Sequence, residues 1–510
     1  MPSMTLESLK ELAAALSSGA LTRDMAGSDP AVCPRSFQEQ GHSTFLMARV
    51  DGEKRVVEVT RREPVGGLEG PVLKCPGGCV AVVAAKSRAN GKALRRLFPW
   101  TAPSAVGKRD VTVGCGDRLG LATPGHVQAF RPHDATPMLA QQSVRENTFT
   151  GRSHADVLDD ATWGVFQEGF TRGFGADGDH LKKGEQVEEV LALGYTFLTL
   201  DLSEHIDNAA ASLDADALSK ALANVPAATR RRFENRYGGK SLAARAHDGK
   251  EFTFAATDEQ LARITLVYHR AIDQAARIYK DHLEGRGMEL EVSIDEVDTP
   301  TDPVAHFILA SELAEAGVEM VSMAPRFCGE FQKGIDYIGS PDEFAREFAV
   351  HAAIARKFGH KVSVHSGSDK FAIFPFVGEL TGGRFHLKTA GTSWLQAMLA
   401  VAQGAPSLYR EVHAWAMENH GEALKLYHIK GKRENVPDIK SLSDEQLPSL
   451  FGNDDCRQLL HISYGLVLNS KGTGFREALY SFWNDHEARH DECVRSHLKR
   501  HLEALGVGSA

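Results

Sequence analysis

Short runs of alternating polar and aliphatic residues recur through the middle of the chain. In the stretch from Gly287 to Asp302, GMELEVSIDEVDTPTD, a period of two puts Glu291, Ser293 and Asp295 on one face and Leu290, Val292 and Ile294 on the other. KVSVHSG sets Ser363 and His365 against Val362 and Val364, and FHLKTAG sets His386 and Lys388 against Phe385 and Leu387. FLTLDLSEH does the same with Thr199, Asp201 and Ser203 against Leu198, Leu200 and Leu202. The aliphatic faces want helices packed on them. The polar faces make a poor ordinary core, because unpaired buried charge is strongly disfavoured, so their carboxylates need a metal, another cation or a polar ligand.

Eight such candidate strands can be read, at 111–116, 137–142, 174–179, 195–201, 288–295, 318–323, 361–366 and 384–388. Helical patterns at 154–169, 184–193, 303–316, 341–358 and 394–424 separate or follow most of them. Eight parallel strands alternating with helices is the count of a (β/α)8 TIM barrel, whose strand ends share one site. An open doubly wound sheet would show a glycine-rich phosphate fingerprint after its first strand, and GCGDRLGLATPG lacks the G-x-G-x-x-G spacing.

The barrel is expected to span 106–429, with a helical insertion at 206–287 placed where it can serve as a lid. Residues 1–105 read as a separate α+β module, with a helix near 4–18 and a hairpin of TFLMARV and KRVVEVT joined at Asp51-Gly52. Residues 430–510 read as a C-terminal helical extension.

Composition adds little beyond exclusions. A chain of 510 residues, 42% hydrophobic and 25% charged, is ordinary globular material, and a net charge of −9 gives no reason to expect nucleic acid or an anionic membrane as partner. The N-terminus lacks the basic start and apolar run of a leader, and no apolar stretch approaches a membrane span. Seven mostly scattered cysteines fit a reducing compartment, so the expected location is cytoplasmic. Only Cys75 and Cys79 are close, and no second pair completes a zinc knuckle. A homo-oligomer is compatible with the sequence.

A barrel of this kind would gather Asp177, Asp179, His180, Asp201, Glu291, Asp295, Arg326, His365, His386 and Lys388 at one mouth. Three histidines converging from different strands suit a divalent cation such as zinc, manganese, nickel or cobalt, the alternative being hydrogen-bonded packing without metal. Asp179 and His180 are neighbours and can both point inward only with a bulge near Gly178. Lys388, Thr389 and the helix opened by Gly391, Thr392 and Ser393 form a candidate anion site, or an ordinary cap beside a packed lysine. Arg326 is either a substrate clamp or a partner for Glu330. His486 and His490 read as a solvated helix face, and His351 and His360 as core-facing.

GCGDRLGLATPGH, LAQQSVRE, DDATWGVFQEGF, GFGADGDHLK, EVSIDEVDTPT, FCGEFQKGIDYIG, VSVHSGSDKF and FHLKTAGTS together resemble the tagaturonate epimerase family, from about Gly114 into the C-terminal extension. The first hundred residues match more weakly. The resemblance implies a metal-dependent isomerase of hexuronate catabolism that interconverts D-tagaturonate and D-fructuronate, with the neutral ketoses tagatose and fructose as further substrates. It implies catalysis by Asp179 and Glu291, metal binding by His180, His365 and His386, and a keto sugar acid as the small-molecule partner. Gln142, Ser143, Asp201, Asp295, Arg326, Lys388 and Thr389 are the expected substrate contacts. Two rival readings use the same residues. One is a metal-dependent aldolase of a keto sugar acid, and the other is a non-catalytic sugar-acid binding protein.

Overall fold

The computed structural model describes residues 2–389, 391–427 and 429–510, the side chain of Thr392 excepted. Five antiparallel strands open the chain: β1 (Gln38–Gln40), β2 (Ser43–Val50), β3 (Glu53–Thr60), β4 (Val72–Lys74) and β5 (Val80–Ala85), in the order β1-β2-β3-β5-β4. Asp51 and Gly52 both take positive φ, 47° and 85°, the two-residue turn whose twist matches a hairpin. The helix Leu6–Ser18 covers one face of the sheet, and the aromatic residues Phe45, Phe98, Trp100 and Phe166 join the other face to the barrel helix His154–Glu168.

The barrel strands are β6 (Val111–Cys115), β7 (Thr136–Ser143), β8 (Gly175–Leu181), β9 (Phe197–Asp201), then, after the hairpin β10 (Leu242–Arg245) and β11 (Glu251–Phe254), β12 (Glu289–Ile294), β13 (Met320–Pro325), β14 (Lys361–Val364) and β15 (Phe385–Thr389). All eight pair in parallel with their sequence neighbours, and β15 returns to β6 to close the barrel. The aliphatic residues Leu198, Leu200, Leu290, Val292, Val362, Val364 and Leu387 are buried in the layer between sheet and helices, as their alternation requires. Val106, Met138, Phe197 and Val321 plug the N-terminal end. Inside, Gly114 leaves room for the Gln141 amide, whose Oε1 would lie 2.1 Å from any Cβ added there.

Helix boundaries follow local chemistry. Ser153 and Asp156 form a reciprocal cap on His154–Glu168, and Gly169 ends it in the left-handed conformation. The helical stretch read at 394–424 is three helices, Thr392–Gly404, Pro406–Glu418 and His420–Leu424, because Pro406 forces Ala405 out of the helical region.

The insertion at 206–287 departs from the lid reading. Its helix Asp258–Ile278 packs on Pro303–Glu315, its hairpin lies against Pro341–Phe358, and His247 reaches the turn at Gly382 that precedes β15. It therefore runs down the outside of the barrel. The C-terminal helices Asp454–Leu468, Phe475–Asp485 and Glu487–Ala504 pack instead on Thr123–Phe130 and Thr392–Gly404. Glu487 in the last helix pairs with Arg49 and Lys54 of the N-terminal sheet, so His490, one turn on, is buried while His486 is exposed. Only half of the solvated-face reading of that pair holds. Among the described residues no helix is long and apolar enough to cross a membrane.

Between Pro303–Glu315 and Pro341–Phe358 lies a row of three buried imidazoles. His306 Nδ1 is 2.9 Å from His351 Nδ1, and His306 Nε2 is 3.0 Å from His360 Nε2. Both bonds can form with neutral rings, since His306 donates to one neighbour and accepts from the other.

Candidate active site

The inward polar residues meet at one cavity of about 450 Å³, bordered by Gln141, Ser143, Asp179, Asp201, Asp295, His365 and Lys388. It lies at the C-terminal ends of the strands, where barrels of this type gather their chemistry.

Lys388 anchors the floor. Its ammonium is 2.8 Å from Asp177, 2.7 Å from Asp179 and 3.0 Å from Glu291, and it also donates to Thr199. Burial disfavours each of these charges, yet mutual attraction holds Lys388 well above the usual lysine range and Asp179 and Glu291 well below the carboxylate range. Asp177 behaves differently. Burial, reinforced by Asp179 and Glu291, outweighs Lys388 and pushes its carboxyl up to about 6. Three carboxylates around one ammonium leave the floor with excess negative charge.

Strand β8 delivers two adjacent residues to the cavity by breaking its own pattern. The pairing with β9 slips between Gly178 and Leu181, and His180 adopts a φ of 56°, so Asp179 and His180 both line the site. Such a backbone conformation is costly for a non-glycine residue and persists where the surroundings over-determine it.

His180 Nδ1 lies 2.9 Å from Asp179 Oδ1. His365 Nε2 donates to Glu291 Oε1 at 2.7 Å, while Glu291 Oε2 accepts from Ser322 at 2.6 Å. Burial opposes charge on both rings, but Asp179 pushes His180 up, and Asp295 with Glu291 pushes His365 up to about 10. His365 Nδ1 is buried and only 3.0 Å from Asp295 Oδ1, yet the two are not aligned for a hydrogen bond. Donor atoms of His180, Asp295 and His365 all lie within 4.8 Å of one another. Two imidazoles and a carboxylate beside an open cavity fit a divalent transition metal, and the bond from His365 to Glu291 is the outer carboxylate that orients such a ligand.

His386 stands apart from that group. It shares the inward face of β15 with Lys388 but sits one layer lower, its Nδ1 2.8 Å from Thr112 Oγ1 and its ring against Phe197. Burial pushes it down to about 3. A second group with metal-like spacing, Asp369, His497 and His501, is held together by ion pairs and a backbone hydrogen bond. Asp369 pairs with Arg457 at 2.8 Å and His497 at 3.0 Å, and His501 Nε2 accepts the Asp369 N–H at 2.9 Å. This cluster ties the C-terminal helix to the loop after β14.

Of the expected substrate contacts, Ser143, Asp201, Asp295 and Lys388 border the cavity. Gln142 does not, because Gln141 and Ser143 occupy the inward positions of β7. Thr389 has the opposite parity to Lys388, and its hydroxyl donates to the Gly114 carbonyl at 2.8 Å. Ser393 likewise donates to the Gly116 carbonyl, and Lys388 is committed to carboxylates, while Gly391 at this helix start borders the cavity; Ala390 and the Thr392 side chain lie outside the described residues. Arg326 borders an adjoining cleft and donates to the Val297 carbonyl, while Glu330 pairs with Lys430. Glu291 lies beneath the cavity, fully buried, and does not line it.

Several lining residues escaped the sequence reading: Gln141, Arg145, Lys182, Lys333 and His461. Gln141 was recoverable from strand parity. Arg145 and Lys333 stand in LAQQSVRE and FCGEFQKGIDYIG, but loops and short helices give no period to say which side chains turn inward. His461 comes from a helix beyond the barrel, and nothing local marks it.

Residues 33–505 match the family model of tagaturonate epimerase, which takes in most of the N-terminal module as well as the barrel. A tagaturonate/fructuronate epimerase of Thermotoga maritima is 38% identical over 487 residues, covering 95% of this chain and 98% of its own. The native crystal structure of a fructuronate-tagaturonate epimerase from Cohnella laeviribosi superposes with a TM-score of 0.90 at 43% identity, covering 95% of this chain and 98% of its own. The same enzyme complexed with one glycerol gives 0.90 at 42% identity, with coverage of 98% and 99%.

Proposed function

We propose, because the chain belongs to the tagaturonate epimerase family, that it is an isomerase interconverting D-tagaturonate and D-fructuronate with the help of a divalent cation. The observation that carries this reading is likeness to epimerases over nearly the whole of both chains. The seven free, buried cysteines support a cytoplasmic location.

In ketose numbering the two sugar acids differ at C4, which is not adjacent to the C2 ketone, so enolisation alone does not reach it. Breaking and re-forming the C3–C4 bond does. Asp179 borders the cavity as a carboxylate, and although Lys388 and His180 weaken it as a base, its position lets it accept the proton of the C4 hydroxyl. The C3–C4 electron pair then stays with C3 and delocalises onto the ketone oxygen, while C4 becomes an aldehyde. A half-turn of that aldehyde lets the bond re-form on its other face. Asp179 returns the proton, and no atom or electron is gained or lost.

A divalent cation held by His180, Asp295 and His365 would supply positive charge against the oxygen that becomes negative. Glu291 acts at one remove, by fixing the ring of His365. Lys388 keeps Asp179 ionised and placed.

The test is conversion of each sugar acid followed by NMR. Turnover should be lost in chelator and restored by a divalent cation, and Asp179→Asn should lower kcat by about 100-fold or more. Unimpaired turnover by that variant would remove Asp179 from the mechanism, and accumulation of three-carbon products by the wild type would favour an aldolase.

A further inference from the structure

Four lysine and arginine side chains border the cavity: Arg145, Lys182, Lys333 and Lys388. Two are matched. Lys388 has its three carboxylates, and Lys182 stands 3.5 Å from Asp201 and 3.3 Å from Glu204. Among the described residues, neither Arg145 nor Lys333 forms an ion pair. Lys333 Nζ donates to Ser366 Oγ at 2.9 Å, and the Arg145 guanidinium lies 5.3 Å over the Tyr427 ring.

The surroundings of Lys333 leave it without an ion-pair partner among the described residues. Glu146, a buried carboxylate of the same lining, is already held by Arg118 through Nε at 3.1 Å and Nη2 at 2.7 Å. Burial pulls the Lys333 ammonium below its usual range, Glu146 and Glu296 only partly offset this, and Arg118 and Arg145 add to it. A half-buried ammonium without an anion is poorly solvated, and a bound carboxylate would relieve it. His461 completes this wall. It is 1% exposed, its Nε2 lies 3.5 Å from Arg118 Nη1 and can only accept from it, and its Nδ1, which then carries the proton, has no partner.

We propose that Lys333 and Arg145, backed by His461, clamp the carboxylate of the sugar acid beside Ser366. The assignment rests on the epimerase reading and deepens it, by naming the residues that separate an acid sugar from a neutral ketose. Ser366 follows His365 in sequence, so the clamp and the candidate cation group border the same space. The clamp also has a task while the C3–C4 bond is open. The aldehyde fragment carries the carboxylate, and holding that group lets the aldehyde turn without leaving.

The experiment compares wild type with Lys333→Met and Arg145→Gln on tagaturonate. Each variant should raise KM roughly 10–100-fold while kcat changes far less, and should release three-carbon fragments that the wild type retains. Arg145→Lys, which keeps the charge, should restore most of the affinity. Tagaturonate should raise the Tm of the wild type but not of the two neutral variants. Wild-type activity together with KM values within twofold of it in both variants would overturn the clamp alone. A wild type that neither converts tagaturonate nor is stabilised by it would overturn the functional reading and the clamp with it. If Lys333→Met melts low without ligand, the exposed Arg145 decides the matter.

Discussion

Glu291 and His386 show what parity can and cannot reveal about a residue. Both lie on inward faces, as alternation says, yet one sits under the cavity as an acceptor for His365 and the other a layer deeper beside Thr112. Depth along a barrel strand has no sequence signature, because the same period of two runs through every layer. Two predictions follow from these positions. Glu291→Gln should weaken divalent-cation retention and activity by about 10–100-fold, through the loosened His365 ring. His386→Gln should retain the cation as the wild type does. Metal content after dialysis against graded chelator measures both, and the reverse pattern would return His386 to the ligand set and remove Asp295.

At the level of the element, all eight barrel strands and most of their helices are legible, from alternation in strands such as β9, β12, β14 and β15 and from caps such as Ser153, Asp302 and Ser340. The slip in β8 is legible only in part. The adjacency of Asp179 and His180 demands an irregularity, but its form, a left-handed His180, depends on neighbours far off in sequence. The imidazole row between Pro303–Glu315 and Pro341–Phe358 is another element-scale feature, and it makes packing of these helices acid-sensitive. Burial pushes His351 and His360 from 6.5 down to about 3, and His306 is driven down by burial and by its two neighbours. The folded protein therefore excludes protons that the unfolded chain accepts. The contribution is complete above pH 6.5 and declines as pH falls towards 3, by about 2 kcal/mol per imidazole between pH 6.5 and 5. A variant with leucine at 306, 351 and 360 should show a flatter fall of Tm between pH 7 and 5. An unchanged slope would mean that other groups govern acid sensitivity.

For the molecule as a whole, the sequence marks three regions but not how they sit on one another. The long insertion falls where a lid could grow, yet no residue of 206–287 borders the cavity. Replacing the hairpin 242–254 with a short linker should leave kcat/KM for tagaturonate within about threefold of wild type, and a larger loss would assign the insertion a part in closure. The wall that the barrel does not supply includes His461, from a helix far along the chain, and the ties of Asp369 to His497 and His501 fasten the last helix to the loop after β14. Translation adds a further meaning to that arrangement. Every strand of the barrel leaves the ribosome before the helix that carries His461, so the chamber gains that wall only when the C-terminal helices have been made.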